Sequence, residues 1–171
     1  DLRSFKEDEL VKEAIRLVNS GVKELTLIAQ DSSRYGFDWD RQLHLSSLLK
    51  KLDVIEGVRW IRILYLYPDE IPDDLIETIK NSKHILPYFD IPIQHGSDRM
   101  LKLMHRRSNA AEILERTTTI RKELPNAVLR TTVMTGFPGE TLEDHELNVE
   151  LIKAVKWDHL GCFTYSKEEG T

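Results

Sequence analysis

Two polar residues directly before a glycine, Gln94-His95-Gly96, are the side chains of this sequence best placed to do chemistry. They close a short apolar run, Tyr88-Phe89-Asp90-Ile91-Pro92-Ile93, which reads as a buried strand. A helix signal follows at once: Ser97 fits an N-cap, Asp98 suits the positive end of the helix dipole, and Met100, Leu101, Leu103 and Met104 form an apolar side. A carboxamide and an imidazole at the carboxyl end of a strand sit where parallel α/β sheets and barrels hold their ligands. The plainer alternative is a pair of loop residues capping a turn. Similar groups recur along the chain. Gln30-Asp31, Tyr65 with Tyr67-Pro68, Gly136-Phe137-Pro138-Gly139-Glu140 and Tyr165-Ser166 each follow or end an apolar run. Gly136 and Gly139 allow close backbone approach to an anion or an adenine ring, or else a tight turn into a capped helix. Arg130 lies inside an apolar strand run. A buried guanidinium there requires a carboxylate partner, which makes it a candidate for a ligand carboxylate. Arg106 and Arg107 stand at a helix end, where the dipole favours cations.

Much familiar chemistry is excluded. No Gly-x-Gly-x-x-Gly, no P-loop, no Gly-x-Ser-x-Gly and no His-x-x-x-His pair occurs in the 171 residues. Of the six histidines, only His95 stands at a strand end; His44, His84, His105, His145 and His159 read as surface or helix-end residues. A single cysteine, Cys162, rules out an internal disulfide and any multi-cysteine metal site made by this chain alone. Its neighbours Leu160 and Phe163 predict a buried structural thiol. Cysteine usage points to a reducing compartment, the cytoplasm, and no apolar run is long enough to cross a membrane. The net charge of −5 argues against a nucleic-acid surface over the molecule as a whole.

The elements that must position these groups alternate. Ser4-Phe5-Lys6-Glu7 reads as a capping box for a first helix ended by Gly21. The spacing then predicts strands at Leu25 to Ala29, Ile61 to Leu66, Tyr88 to Ile93, Val128 to Thr135 and Leu160 to Tyr165. Helices are predicted between them at Leu43 to Leu52, Asp73 to Asn81, after Ser97, at Ala110 to Glu123 behind Asn109, and at Leu142 to Val155. Strands alternating with helices mean right-handed βαβ units and one parallel sheet, open or curled as a barrel. In such an array every polar strand end lies on one edge, so the groups above converge on one ligand site.

Several of these stretches, in one order, resemble a known family. Leu27-Ile28-Ala29-Gln30-Asp31 with Arg34-Tyr35-Gly36, Asp90 to Arg99, Leu129-Arg130-Thr131-Thr132 through Gly136-Phe137-Pro138-Gly139-Glu140-Thr141, and Phe163 to Thr171 look like the radical-SAM domain of the methylthiotransferases. The Gln-His pair, Leu64-Tyr65-Leu66-Tyr67-Pro68 and the Glu-Glu-Gly-Thr ending resemble the RimO branch, which modifies an aspartate of the small-subunit ribosomal protein uS12. The MiaB branch, which modifies tRNA adenosine, is similar but usually carries Gln-Ser and an Arg-Pro-Gly-Thr ending. A module that only binds, built on a barrel without a cluster, is the reading from another class.

The resemblance implies an α/β fold: a partial (β/α) TIM-like barrel of about five parallel strands, helices outside, over residues 1–171. It implies S-adenosylmethionine (SAM) as cofactor, cleaved by an electron from a 4Fe-4S cluster to give a deoxyadenosyl radical. By analogy, Gln30 and Asp31 meet the methionyl amino group, Gln94 and Arg106 the ribose and carboxylate region, and Gly136 and Glu140 flank the adenine. Thr132 stands where many relatives have an acidic ribose ligand, with Arg130 as compensation. Tyr65, Tyr67, His95 and Tyr165 fall on the substrate side, with His95 facing the opening. The family's three-cysteine cluster loop, its amino-terminal cluster domain and its carboxyl-terminal TRAM domain have no counterpart here. The 4Fe-4S clusters are therefore expected in a full-length protein only, and this chain alone is expected to be inactive.

Overall fold

The structure, a computed structural model, describes residues 2–167. The elements in chain order are α1 (Glu7–Asn19), β1 (Glu24–Leu27), α2 (Phe37–Asp40), α3 (Leu45–Asp53), β2 (Trp60–Ile63), α4 (Asp73–Lys80), β3 (Ile85–Asp90), α5 (Asp98–Leu103), α6 (Ala110–Glu123), β4 (Val128–Thr135), α7 (Leu142–Val155) and β5 (His159–Thr164). Short 3-10 turns at Ser32–Arg34 and Pro68–Glu70 follow β1 and β2. The five strands form one parallel sheet in the order β1-β2-β3-β4-β5. Because order in the sheet equals order in the chain, each right-handed crossover steps the same way and leaves its helix on the same face. This is the arrangement of a barrel wall, a partial (β/α) barrel.

Alternation along the strands divides the two faces. Ile61, Ile63, Phe89, Leu129 and Val133 are buried in the core with Leu49 and Leu52 of α3, Leu75 and Ile79 of α4, Ile113 and Ile120 of α6, and Leu151 of α7. Burying each such side chain contributes roughly 1.5–3 kcal/mol. The other face is polar. There Glu24 pairs with Arg62 at 2.6 Å, Arg62 lies 4.7 Å over the Tyr88 ring, and Asp90 pairs with Arg130 at 2.5 Å.

Several expectations need correction. Helix α1 begins at Glu7 without a side-chain cap. Ser4 instead turns outward: its Oγ accepts from Gly36 N at 2.9 Å and its own N–H donates to Asp38. Strand β3 runs three residues earlier than the apolar run suggested, and Ile91 to Ile93 continue past it as extended chain. Pro92 lacks the N–H a ladder needs, and pairing resumes at the Gln94–Val133 bridge. Strand β2 ends at Ile63, and the third helix starts at Leu45 rather than Leu43. Cys162 is exposed, not buried. Strand β5 is the sheet's last strand, and no described element packs over its flank, so Leu160 and Phe163 are 42% and 61% exposed. The capping boxes of α6 at Asn109 and of α7 at Thr141 are both present, and Ser97 caps α5. The Glu-Glu-Gly-Thr ending lies outside the described residues.

Candidate functional site

The carboxyl ends of β1, β2, β3 and β4 surround a cleft of about 730 Å³. Asp31 comes from beyond β1, Tyr67 from beyond β2, Gln94 from beyond β3, and Met134 and Phe137 from the end of β4. Leu103 at the end of α5 and the connection to α6, Met104 to Arg107, form the remaining wall. Helix α5 stops at Leu103, so Arg106 and Arg107 are connection residues rather than the helix end expected for them. His105 turns through a left-handed φ of 55° there, which swings the two arginines toward the cleft.

The cations differ in their surroundings. Arg107 is bound by carboxylates: Glu70 at 2.7 Å, Asp69 at 3.0 Å and Asp31 at 3.6 Å. Arg106 lies 5.0 Å over the face of Tyr67 and has no carboxylate partner among the described residues. Gln94 has a left-handed φ of 71°. Its N–H donates to Thr132 O at 2.9 Å and its carbonyl accepts from Met134 N at 2.7 Å, so both backbone groups are used. The side-chain amide has no protein partner among the described residues. The cleft therefore offers a free carboxamide, a guanidinium without a carboxylate, a carboxylate and an apolar wall of Leu103, Met104, Met134 and Phe137. These donors suit a zwitterionic head joined to an aromatic ring.

A polar network lies behind the cleft. His95 is fully buried, which corrects its expected place at the opening. Alternation does put it opposite Gln94, but that side is roofed by α7. The roof is close because Gly96 has no side chain: a Cβ there would lie 2.7 Å from Asn148 Cα. The imidazole Nδ1 accepts from Ser97 N–H at 3.0 Å, so the ring proton sits on Nε2, which faces Glu140 Oε1 at 3.3 Å. Glu140 also accepts from Gly136 N–H and lies 3.4 Å from His145. Burial pushes the Glu140 carboxyl up, but the bonds from His95, Gly136 N–H and His145 outweigh it and hold it below its ordinary value. Next to it, Asp144 is held far below the usual carboxylate range, chiefly by Arg99 and then by Thr141 and Ser97.

Of the residues singled out in the sequence, Asp31, Tyr67, Gln94 and Arg106 line this one cleft. Gly136 flanks it beside Phe137, and Tyr165 supports Phe137 edge to face at 5.3 Å. Gln30 is exposed outside its lining, and Tyr65 stands 43% exposed on the rim. Arg130 and Thr132 lie on the polar sheet face, two and one alternating steps below Met134. Arg130 has the carboxylate partner its position demanded, but that partner is Asp90 of the same chain, and the hydrogen bond to Asp90 raises its pKa. Glu140 folds away from the cleft toward His95. Phe137, part of the Gly136–Glu140 loop expected at this edge, also lines it, whereas Arg34, Leu103, Met104, His105, Arg107 and Met134 were not foreseen as lining residues. Alternation from Thr132 would have found Met134, whereas nothing local marks the α5–α6 connection as a wall.

A parallel wall of βα units with a polar cleft at its carboxyl edge defines a class, and comparison gives that class its name. The profile of the Radical SAM superfamily matches residues 1–152, and the chain belongs to that superfamily. Its fold is shared with solved members at low identity. The radical S-adenosylmethionine methyltransferase TsrM from Kitasatospora setae, solved with cobalamin and a 4Fe-4S cluster bound, superposes with a TM-score of 0.71 at 12% identity, over 93% of this chain and 31% of that one. Coproporphyrinogen III oxidase (HemN) from Escherichia coli gives 0.64 at 15% identity, over 94% and 37%.

Within the superfamily the similarity is much closer to one group. The ribosomal protein uS12 methylthiotransferase RimO of Lachnoclostridium phytofermentans is 51% identical over 100% of this chain and 39% of its own length. The protein of the same name from Clostridioides difficile is 48% identical over 99% of this chain and 38% of its own. The chain thus spans about two fifths of the length of these curated relatives.

Proposed function

We propose that this chain is the SAM-binding part of a methylthiotransferase that modifies an aspartate of ribosomal protein uS12 in the cytoplasm. The observation that carries the reading is the cleft itself. A Gln94 amide and an Arg106 guanidinium, the one without a protein partner and the other without a carboxylate among the described residues, meet Asp31 and the apolar side chains of Met134 and Phe137 at the carboxyl edge of the sheet. Similarity of 48–51% to enzymes named for the uS12 reaction supports the substrate. The relatives reported above are named for the uS12 reaction, and a net charge of −5 does not favour the tRNA alternative.

The two implied cofactors fare differently against the residues present. SAM fits: Arg106 suits its carboxylate, Asp31 its ammonium group, Gln94 its ribose hydroxyls, and Met134 with Phe137 the adenine faces. Bound there, SAM would supply the capacity for hydrogen abstraction from carbon once an electron from an outside cluster had cleaved its sulfonium, while this chain's residues would orient it and keep water from the apolar wall. A 4Fe-4S cluster does not fit. It needs several thiolates, and the sequence holds only Cys162, exposed on β5 away from the cleft. Among the described residues no group of metal-binding side chains is assembled. The cluster ligands belong to other parts of a longer protein, and no step is assigned to this chain alone.

Calorimetric titration of the chain with SAM tests the cofactor, and Arg106→Ala should weaken binding about tenfold, the scale of a lost hydrogen bond to a charged group. Equal affinity in the variant would overturn the assignment. The substrate is tested by joining this chain to the missing parts of a curated relative and analysing uS12 peptides and tRNA by mass spectrometry after anaerobic reaction. A methylthio group on tRNA rather than on uS12 would overturn it.

A further inference from the structure

We infer that His95 and Glu140 form a latch that positions the cleft wall: His95 acts through Glu140 to hold the Gly136–Glu140 loop, and with it Phe137, against Gln94. The inference rests on the cleft being the SAM site, and it concerns how that site keeps its shape. Three observations carry it.

First, the proton on His95 is assigned by its neighbours. Ser97 N–H occupies Nδ1, so Nε2 carries the hydrogen and can only donate, and the acceptor before it is Glu140 Oε1. A fully buried donor without an acceptor would be costly, so the bond is required by burial as well as permitted by distance.

Second, Glu140 divides its two oxygens. Oε1 faces His95, while Oε2 accepts from Gly136 N–H, the first amide of the loop. The carboxylate thereby spans from the residue beside Gln94 to the start of the loop that presents Phe137. The loop is closed further by Glu140 N–H donating to Phe137 O at 2.9 Å. Gly136 takes a left-handed φ of 75° with nothing within 4 Å of a would-be Cβ, so the space beside it is open. The bond that its N–H donates to Glu140 Oε2 ties it there.

Third, the two walls meet through adjacent residues. Gln94 and His95 are consecutive, and Gln94 is bonded through its backbone to Thr132 and Met134 of β4. Releasing His95 from Glu140 leaves Gln94 in place and loosens the loop at Gly136, while Arg99 still donates to Gly139 O at 2.6 Å and Tyr165 still packs on Phe137. His95 is therefore a positioning residue and touches no ligand.

The ring's two nitrogens can be separated by substitution. In His95→Gln the side-chain amide reaches as far as Nε2 and still donates to Glu140, but nothing accepts from Ser97 N–H. In His95→Asn the shorter carbonyl replaces Nδ1 and still accepts from Ser97, but nothing donates to Glu140. The latch predicts that His95→Asn speeds hydrogen exchange at Gly136 N–H and weakens SAM binding, each about tenfold. His95→Gln should retain most of both. The opposite order, with His95→Asn near wild type and His95→Gln impaired, would mean that His95 serves only the start of α5, and would overturn the latch.

Glu140→Gln gives a check that does not disturb the buried ring. Its carbonyl can still accept from His95, but its amide faces Gly136 N–H donor to donor, so exchange at Gly136 should rise by the same factor. Unchanged exchange there would also overturn the proposal. Should the wild-type chain fail to bind SAM, the cofactor reading fails, and the exchange comparison still decides the latch.

Discussion

Replacing Gly96 by alanine should destabilise the chain through steric contact alone. A Cβ at this buried position would lie 2.7 Å from Asn148 Cα and 3.0 Å from both Leu147 O and Leu151 Cβ. These are backbone and near-backbone atoms of α7, so no side chain can rotate away and the helix itself must shift. Inserting a methyl group into such packing costs typically ~1–3 kcal/mol. With a urea dependence of about 2 kcal/mol per molar, the unfolding midpoint should fall by about 0.5–1.5 M. Gly136→Ala is the informative comparison. Space there is open, and the cost comes from its φ of 75°. A left-handed alanine costs roughly 1–2 kcal/mol, and the stiffer unfolded chain offsets about 0.4–1 kcal/mol in both variants alike. Gly96→Ala should therefore be the more damaging of the two. Urea titrations followed by circular dichroism measure both. A Gly96→Ala variant within about 0.5 kcal/mol of wild type, or milder than Gly136→Ala, would refute the claim that α7 rests on this glycine.

Cys162, exposed on β5, should react with a thiol reagent in the native chain nearly as fast as in denaturant; strong native protection would show that another surface covers that strand. Gln94→Gly relieves the left-handed strain of φ 71° but adds glycine's unfolded-state entropy, so stability should stay within about 0.5 kcal/mol. The same variant should bind SAM about tenfold more weakly by calorimetry, and unchanged affinity would remove Gln94 from the cofactor site. Stability should be lost in acid. Asp144, held low chiefly by Arg99, and Asp158, held low chiefly by Leu129 N–H, release their protons more readily when folded than when unfolded, as does Glu140. Their contribution is present above the unfolded carboxyl values near pH ~4 and declines as pH falls through the folded ones. Urea midpoints recorded from pH 7 to pH 3 should stay flat and then drop, and Asp144→Asn should flatten the drop.

The parallel sheet in chain order was legible because helical and strand periodicities alternate without ambiguity, and β4, α6 and α7 fall where spacing and caps put them. Burial was less legible, since it depends on what lies opposite. Leu160, Cys162 and Phe163 have the composition of a core strand, yet among the described residues β5 has one strand neighbour and nothing packed over its flank. Arg130 shows the converse. Its need for a carboxylate was evident, but which carboxylate was a matter of register, and the sheet sets Asp90 directly beside it.

The cleft was half legible for a reason that lies in backbone conformation. The chain leaves β2, β3 and β4 through residues with positive φ: Tyr65 at 58°, Gln94 at 71° and Gly136 at 75°. Only the last is a glycine, and only the last announces itself in the sequence. For tyrosine or glutamine the conformation costs about 1–2 kcal/mol, and it survives where surrounding bonds over-determine it. Those bonds are present. Tyr65 N–H donates to the buried Asp90 carboxylate at 3.2 Å, and Gln94 is held by both of its backbone groups on β4. A glycine at either position would give the same turn without strain, so the turn alone does not account for the residue. What glycine lacks is the side chain, and at Gln94 that side chain is an amide at the cleft with no partner among the described residues. Strain retained beside an unused donor and acceptor is what a ligand-binding position requires. We propose that it places the functional weight of this strand end on Gln94, while His95, its neighbour, works from behind the wall.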